Sequence, residues 1–150
     1  MTLEWLVQTD GSVGALILRL TLAVVLFPHG AQTMLGWFGG PGLKATLQYF
    51  TSAGIPTVFG LLAIAAEFLG PLGLAVGLLT RVAAFGIVCV MLVAIITVHW
   101  RHGFFMNWFG TQLGEGIEYH LLVLGMAIAL IIMGAGTGSV DGALATGGAR

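Results

Sequence analysis

The chain has 150 residues and a formal net charge of -1; 58% of its residues are hydrophobic and 7% are charged. The length suits one domain, and the charge balance excludes the basic surface that nucleic-acid binding requires. The single cysteine, Cys89, excludes an intrachain disulfide and a metal site built from several cysteines. A mean hydropathy of +1.04 instead indicates a protein that lies in a lipid bilayer.

Four apolar stretches are each long enough to cross the hydrocarbon core, which takes about 20 residues. They predict an all-α fold, a four-helix transmembrane bundle that forms a single domain over residues 1–150. In chain order, the predicted spans cover roughly residues 12–34, 56–79, 81–99 and 116–136.

The connection between the first two spans contains a helical pattern of its own. Leu43, Leu47 and Phe50 recur at helical spacing, with polar residues between them. This pattern predicts a short amphipathic helix that lies on the membrane interface. A lid over the mouth of the bundle is the alternative role for the same helix.

Two long connections, residues 35–55 and 100–115, fall on one side of a four-span bundle, which we call the loop side. The opposite, terminal side contains both termini and the short turn at Thr80 and Arg81. All four histidines and most aromatic residues lie toward the loop side, where Trp and Tyr normally anchor a protein at the interface. Lysine and arginine are balanced between the sides, and Arg81 in the tight turn favours cytoplasmic termini.

Five polar side chains lie at membrane depth, where an ionisable group normally faces the bundle interior and has a partner. They are Arg19, His29, Glu67, His99 and Glu118. At about 1.5 Å per residue, Arg19 lies roughly 10 Å in from the terminal side and Glu67 roughly 16 Å in from the loop side. In a core about 30 Å thick these depths nearly coincide, so we predict an Arg19–Glu67 ion pair. The pair either serves function or only fixes the helix register.

His29 and His99 end the first and third spans on the loop side, where Glu118 begins the fourth span. Two imidazoles and a carboxylate therefore converge, with Gln32 about one turn beyond His29. Such a group relays protons, binds an anion or a quinone headgroup, or holds a metal. No local spacing is typical of a metal site, and no motif supports a haem between the two histidines, so we predict no metal site. His120 lies about 200° around the helix from Glu118, so only one of these two faces inward.

Several short motifs carry a resemblance to a known family. They are Leu18-Arg19-Leu20, Pro28-His29-Gly30, Gly36-Trp37-Phe38-Gly39, Ala66-Glu67-Phe68-Leu69-Gly70, Gly77-Leu78-Leu79-Thr80-Arg81 and Gly116-Ile117-Glu118-Tyr119. Together they resemble the DoxX family of small bacterial membrane proteins, over about residues 15–141 of the chain. The resemblance implies a four-helix bundle in the bacterial inner membrane whose polar positions are the five named above. It assigns no role to His120.

Proteins related to this family form the small subunit pair of an archaeal thiosulfate:quinone oxidoreductase. Others are linked to oxidative-stress complexes with superoxide dismutase and a sulfurtransferase. The resemblance therefore implies a redox-associated membrane subunit. Its expected partners are the lipid bilayer, a quinone, proteins of a redox complex and a second copy of the chain. Whether the chain is itself catalytic stays open.

In this redox hypothesis, a histidine hydrogen-bonds the quinone carbonyl and a glutamate exchanges protons with it. The predicted catalytic residues are Glu67, Glu118, His29 and His99. The predicted ligand-binding residues are Arg19, His29, Gln32, Glu67, His99, Trp37 and Tyr119.

Two other functions are consistent with the sequence. A non-catalytic scaffold would recruit partners through aromatic residues of the loop side, among them Trp37, Phe38, Trp108 and Phe109. A carrier of protons or a small anion would use the polar interior, and a bundle of this size would need to form an oligomer to do so.

Overall fold

The computed structural model describes residues 3–147. Within that range the chain has seven α-helices, two 3-10 turns (Trp37–Gly39 and His99–His102) and no β-strand, which confirms the all-α prediction. In chain order, the α-helices are α1 Leu3–Val7, α2 Val13–Leu35, α3 Gly42–Ser52, α4 Thr57–Val76, α5 Thr80–Thr97, α6 Glu118–Met133 and α7 Val140–Gly147.

Three helices, α2, α4 and α5, are long and apolar enough to cross a membrane. The apolar helix α6 has 16 residues, which extend over about 24 Å. Large apolar side chains on the outer faces of the helices are exposed, for example Val24, Ile96 and Ile132. Exposed apolar faces on long helices are the surface that lipid contact requires.

The helix predicted between the first two spans is α3. Its Thr46 is buried, and the hydroxyl lies 3.2 Å from the Thr33 carbonyl oxygen of α2. On α4, a Cβ at Gly60 would stand 2.9 Å from Leu47 and 3.3 Å from Phe50 of α3. The helix α3 therefore rests on the loop-side ends of α2 and α4, and its position at the membrane interface stays a prediction.

The helices α2, α4, α5 and α6 form the bundle, in which α2 packs against α4 and α6, and α5 packs against the same two helices. Leu22, Leu74 and Leu130 are fully buried in its core. The helices α2 and α4 cross closely at Gly30, where a Cβ would lie 2.1 Å from the Glu67 carbonyl oxygen. Small residues at such crossings let membrane helices pack tightly.

On the terminal side, the buried Arg19 (2% exposed) donates to five backbone carbonyl oxygens. Its Nη1 donates to Leu74 and Ala75 in the last turn of α4, at 3.0 and 2.7 Å. Its Nε and Nη2 donate to residues 135, 137 and 138, between α6 and α7, at 3.0, 3.3 and 2.8 Å. The last carbonyls of a helix have no partner within the helix. Arg19 therefore caps α4 and holds the segment after α6 against it.

Two more charged residues close the terminal side. Asp141 of α7 is buried and accepts hydrogen bonds from the backbone N–H groups of residues 79 and 80, at 2.7 and 2.9 Å. A carboxylate at this position caps the start of α5. Arg81 donates to the carbonyls of residues 131 and 132 at the end of α6 and lies 4.4 Å from the ring centroid of Trp5. The short helices α1 and α7 are thereby tied to the bundle.

The predicted ion pair between Arg19 and Glu67 is not formed. Glu67 instead lies 3.1 Å from the Thr33 hydroxyl. Leu74, which accepts from Arg19, follows Glu67 by seven residues, or about 10 Å along α4. Side chains on a helix tilt toward its N-terminus, so on the antiparallel α2 and α4 Arg19 reaches toward the terminal side and Glu67 toward the loop side. Equal depth of the two backbones therefore does not bring the two side chains together.

Candidate functional site

A cavity of about 310 Å³ lies where α2, α4, α5 and α6 approach the loop side, and we call it the loop-side cavity. Its polar lining consists of His29, Glu67, His99, Glu115, Tyr119 and His120. Its apolar lining consists of Leu26, Ile87, Val90, Met91, Ala94 and Met106. This volume and this mixture of residues are typical of sites for small molecules.

The close crossing of α2 and α4 positions the carboxyl group of Glu67. A Cβ at Gly30 would overlap the Glu67 backbone, so only glycine allows this approach. Thr33, about one turn further along α2, has its hydroxyl 3.1 Å from both the Gly30 carbonyl oxygen and Glu67 Oε2. A hydroxyl has one proton to donate, so it donates to one of these two oxygens at a time. The cavity therefore contains a carboxyl group whose position depends on two helix backbones.

His99 is oriented by the connection that precedes α6. Its Nδ1 lies 2.8 Å from the carbonyl oxygen of Glu115. A carbonyl oxygen only accepts hydrogen bonds, so Nδ1 carries a proton, and in the neutral ring Nε2 is the acceptor nitrogen. The ring of His120, in the first turn of α6, lies against His99 with 4.1 Å between the ring centroids.

Two buried polar atoms of the cavity residues, the Tyr119 hydroxyl and His120 Nδ1, have no hydrogen-bond partner within residues 3–147. His120 is only 6% exposed. His29 lies close by, with its ring centroid 6.2 Å from that of Tyr119. Buried polar groups normally have partners. Both atoms have almost no accessible surface, so they bind a ligand in the cavity only after their side chains turn toward it. Among the described residues, no three His, Cys, Asp or Glu side chains are grouped closely enough to hold a metal ion.

The cavity brings together four of the eight predicted site residues, which are His29, Glu67, His99 and Tyr119. The other four lie outside its lining. Arg19 is on the terminal side, Gln32 donates to a backbone carbonyl in the following turn, and Trp37 is exposed. Glu118 accepts a hydrogen bond from the backbone N–H of Met106 at 3.1 Å. Glu118 therefore holds the segment that contributes Met106 to the cavity.

A family model described as DoxX matches residues 14–100, which is more than half of the chain. The chain belongs to the DoxX family. It is also similar to the protein named "Putative oxidoreductase CatD" of Bacillus subtilis (strain 168), with 28% identity over 118 residues that cover 79% of this chain and 78% of that protein. No solved structure matches the chain significantly. The resemblance found in the motifs is confirmed, and this DoxX-family chain is a membrane protein.

Sequence reasoning missed two polar cavity residues of this DoxX-family chain, His120 and Glu115. His120 lies on the buried face of α6 together with Val123 and Ala127. In an apolar helix such as α6 no polar stripe distinguishes the inner face from the outer one, so the sequence contains no sign that His120 faces inward. Glu115 orients His99 through its backbone carbonyl, which any residue type would supply. The DoxX match ends at residue 100, before both positions.

The segment that bounds the cavity of this DoxX protein on the loop side is held by backbone hydrogen bonds. The N–H groups of residues 116–118 donate to the carbonyls of residues 103–105 at 2.9–3.2 Å. The carboxylate of Glu115 also accepts from the backbone N–H of Asn107 at 2.6 Å. Two glutamates, Glu115 and Glu118, therefore fix this connection, and it holds His99 and Met106 at the cavity.

Proposed function

We propose that this chain is an integral membrane subunit of a redox system, and that its loop-side cavity binds a quinone headgroup or a small polar ligand of similar size. The observation that supports this most strongly is the meeting of four predicted site residues around one cavity whose lining is half apolar. The similarity to a protein named as an oxidoreductase agrees with a redox role.

The lining supplies both kinds of contact that a quinone headgroup needs. The ring would pack on Leu26, Ile87 and Met91, because apolar residues make most of the contact in small-molecule sites. The Tyr119 hydroxyl, which lacks a partner within the described part of the chain, would gain a hydrogen bond once its side chain turns toward the ligand. Glu67 would exchange protons with the ligand, since a carboxyl group within hydrogen-bond reach acts as a general acid or base.

We also propose that α6 is the fourth span. It packs against α2 and α5, and it is about 6 Å shorter than a hydrocarbon core of about 30 Å. Bilayers adapt to a difference of this size by local thinning. Four spans place both termini on one side, and Arg81 in the first turn of α5 favours the cytoplasmic side of the inner membrane. The loop-side cavity then lies in the outer half of that membrane.

Tetramethyl-1,4-benzoquinone is expected to raise the thermal unfolding midpoint of the detergent-solubilised protein, because a ligand that binds only the folded state stabilises it. At a concentration 100-fold above its Kd, the gain in unfolding free energy is about 2.7 kcal/mol. The fully substituted ring avoids addition of the exposed Cys89 thiol. Circular dichroism melting with and without the quinone measures the effect.

Two histidine variants distinguish cavity binding from partition of the quinone into the micelle. His29→Ala removes a cavity side chain and should abolish the protection. His102→Ala is the matched control, because His102 lies outside the lining of the loop-side cavity; it should retain the protection. An unchanged midpoint for the folded wild-type protein at every quinone concentration would show that the proposed ligand class is wrong.

A specific observation also favours the scaffold hypothesis. Trp108 is 79% exposed and Phe109 is 90% exposed, and Leu113 in the same loop is fully exposed. Exposed apolar side chains in one loop are typical of a protein contact or a membrane contact. If this loop recruits a partner, replacing residues 108–113 with Gly-Ser should remove co-purifying protein from membrane extracts, whereas His29→Ala should keep it. Equal recovery of the partner with both variants would contradict a scaffold role for this loop.

A further inference from the structure

The polar lining of the loop-side cavity includes acids but no fixed positive charge. Within residues 3–147, no lysine or arginine lines the cavity, whereas Glu67 and Glu115 both do. Arg19, the buried cation of α2, uses its donors on carbonyls of the terminal side. An anion in the cavity would lose its hydration beside two acidic side chains, with no lysine or arginine to compensate. The lining therefore disfavours anions such as thiosulfate.

His99 determines whether a ligand donates or accepts in a hydrogen bond with its second ring nitrogen. Its Nδ1 donates to the Glu115 carbonyl at 2.8 Å, so the neutral ring offers its Nε2 as an acceptor. A ligand hydroxyl can donate to this nitrogen, whereas a ligand carbonyl cannot. The Tyr119 hydroxyl and His120 Nδ1 lack partners in the described part of the chain but have almost no accessible surface, so they do not contribute to this preference.

We infer that the cavity selects an uncharged ring in its reduced, hydroxyl-bearing form, a hydroquinone headgroup, over the oxidised carbonyl form and over anions. This inference rests on the proposed function, because it requires that a ring ligand enters the loop-side cavity. The reduced and oxidised forms share one carbon skeleton and contact the apolar lining alike. Their difference in affinity therefore measures the hydrogen-bond preference of the polar lining.

Anaerobic isothermal titration calorimetry of the detergent-solubilised protein tests this selection. The three probes are tetramethyl-1,4-hydroquinone, tetramethyl-1,4-benzoquinone and sodium thiosulfate, each also titrated into detergent alone. The hydroquinone is expected to bind about tenfold more tightly than the quinone, which corresponds to one hydrogen bond that the quinone cannot make. Thiosulfate is expected to give no binding.

His99→Phe keeps a ring against His120 but removes Nε2. In this variant the preference for the hydroquinone should fall to about twofold or less, as expected when the acceptor is absent, and binding of the quinone should persist. His102→Phe makes the same change outside the lining of the loop-side cavity and should keep the full preference.

The outcomes separate the inference from the proposed function. Binding of the quinone with an equal or higher affinity than the hydroquinone would overturn the inference and leave the proposed function in place. Binding of thiosulfate, or an unchanged preference in His99→Phe, would overturn the inference in the same way. Failure of both ring probes to bind the folded wild-type protein would overturn the two together.

Discussion

Replacing Arg19 with methionine is expected to abolish, or nearly abolish, the folded state in detergent. Five backbone carbonyls now accept hydrogen bonds from this one buried guanidinium. Each buried acceptor left without a donor costs about 1–3 kcal/mol, and the whole stability of a protein is about 5–15 kcal/mol. Thermal melting of the purified variant, followed by circular dichroism, measures the loss, and size-exclusion chromatography detects aggregated protein.

Two further arginine variants distinguish the effect of losing the hydrogen bonds to the carbonyls from the effect of losing the positive charge. Arg19→Lys keeps the charge but offers three donors from a single point, where the planar guanidinium offers five; it should recover only part of the lost stability. Arg101→Met removes an exposed arginine on the loop side and should melt like the wild-type protein. If Arg19→Met melted normally and lost only ligand binding, Arg19 would be a ligand group, as the sequence predicted, and its role at the terminal side would be minor.

The helices were predictable because each is a long apolar stretch, but their ends were predicted less well. The first span, predicted at 12–34, corresponds to Val13–Leu35. The second, predicted at 56–79, begins after Pro56 but ends at Val76, because Gly77 has a positive φ of 68° and ends α4 there. The fourth was predicted at 116–136 but ends at Met133. Glycines in an apolar run do not interrupt hydropathy, yet Gly134 has a φ of 83° and ends α6 there.

The partners of the polar residues were harder to predict than their depth. Sequence spacing placed Arg19 and Glu67 at similar depths, but the opposite tilts of side chains on antiparallel helices separate them. Arg19 donates its hydrogen bonds to backbone carbonyls of α4 and of residues 135–138. Backbone carbonyls occur at every residue, so no residue type in the sequence identifies such an acceptor. His29 and His99 were placed together because each lies near the loop-side end of its helix, and depth alone was enough for that. Glu67 lies in the middle of α4 and was paired with Arg19 instead, so its place beside the two histidines was not predicted from depth.

The second large effect is expected at Gly30, where α2 and α4 cross. In Gly30→Ala, the new Cβ would stand 2.1 Å from the Glu67 carbonyl oxygen and 2.7 Å from the Cα of Phe68. These are backbone atoms, so the helices must move apart, at a cost of at least about 1–3 kcal/mol. The same movement separates Thr33 from Glu67, which now lie 3.1 Å apart. The variant should therefore melt earlier and also lose most of its affinity for tetramethyl-1,4-hydroquinone.

Gly125→Ala is the matched control for this prediction. Gly125 lies in α6, and a Cβ there would meet no atom within 4 Å. Alanine in a helix is favoured over glycine by about 1 kcal/mol, so this variant should melt at or slightly above the wild-type midpoint and bind the ligand normally. If Gly30→Ala behaved like Gly125→Ala in both measurements, α2 and α4 would have room for a Cβ at position 30. The two helices would then be farther apart than the 2.1 Å distance from that Cβ to the Glu67 carbonyl oxygen implies. The hydrogen bond with Thr33 would then be the contact that positions Glu67. Thr33→Val should in that case cause the loss of ligand binding that Gly30→Ala did not cause.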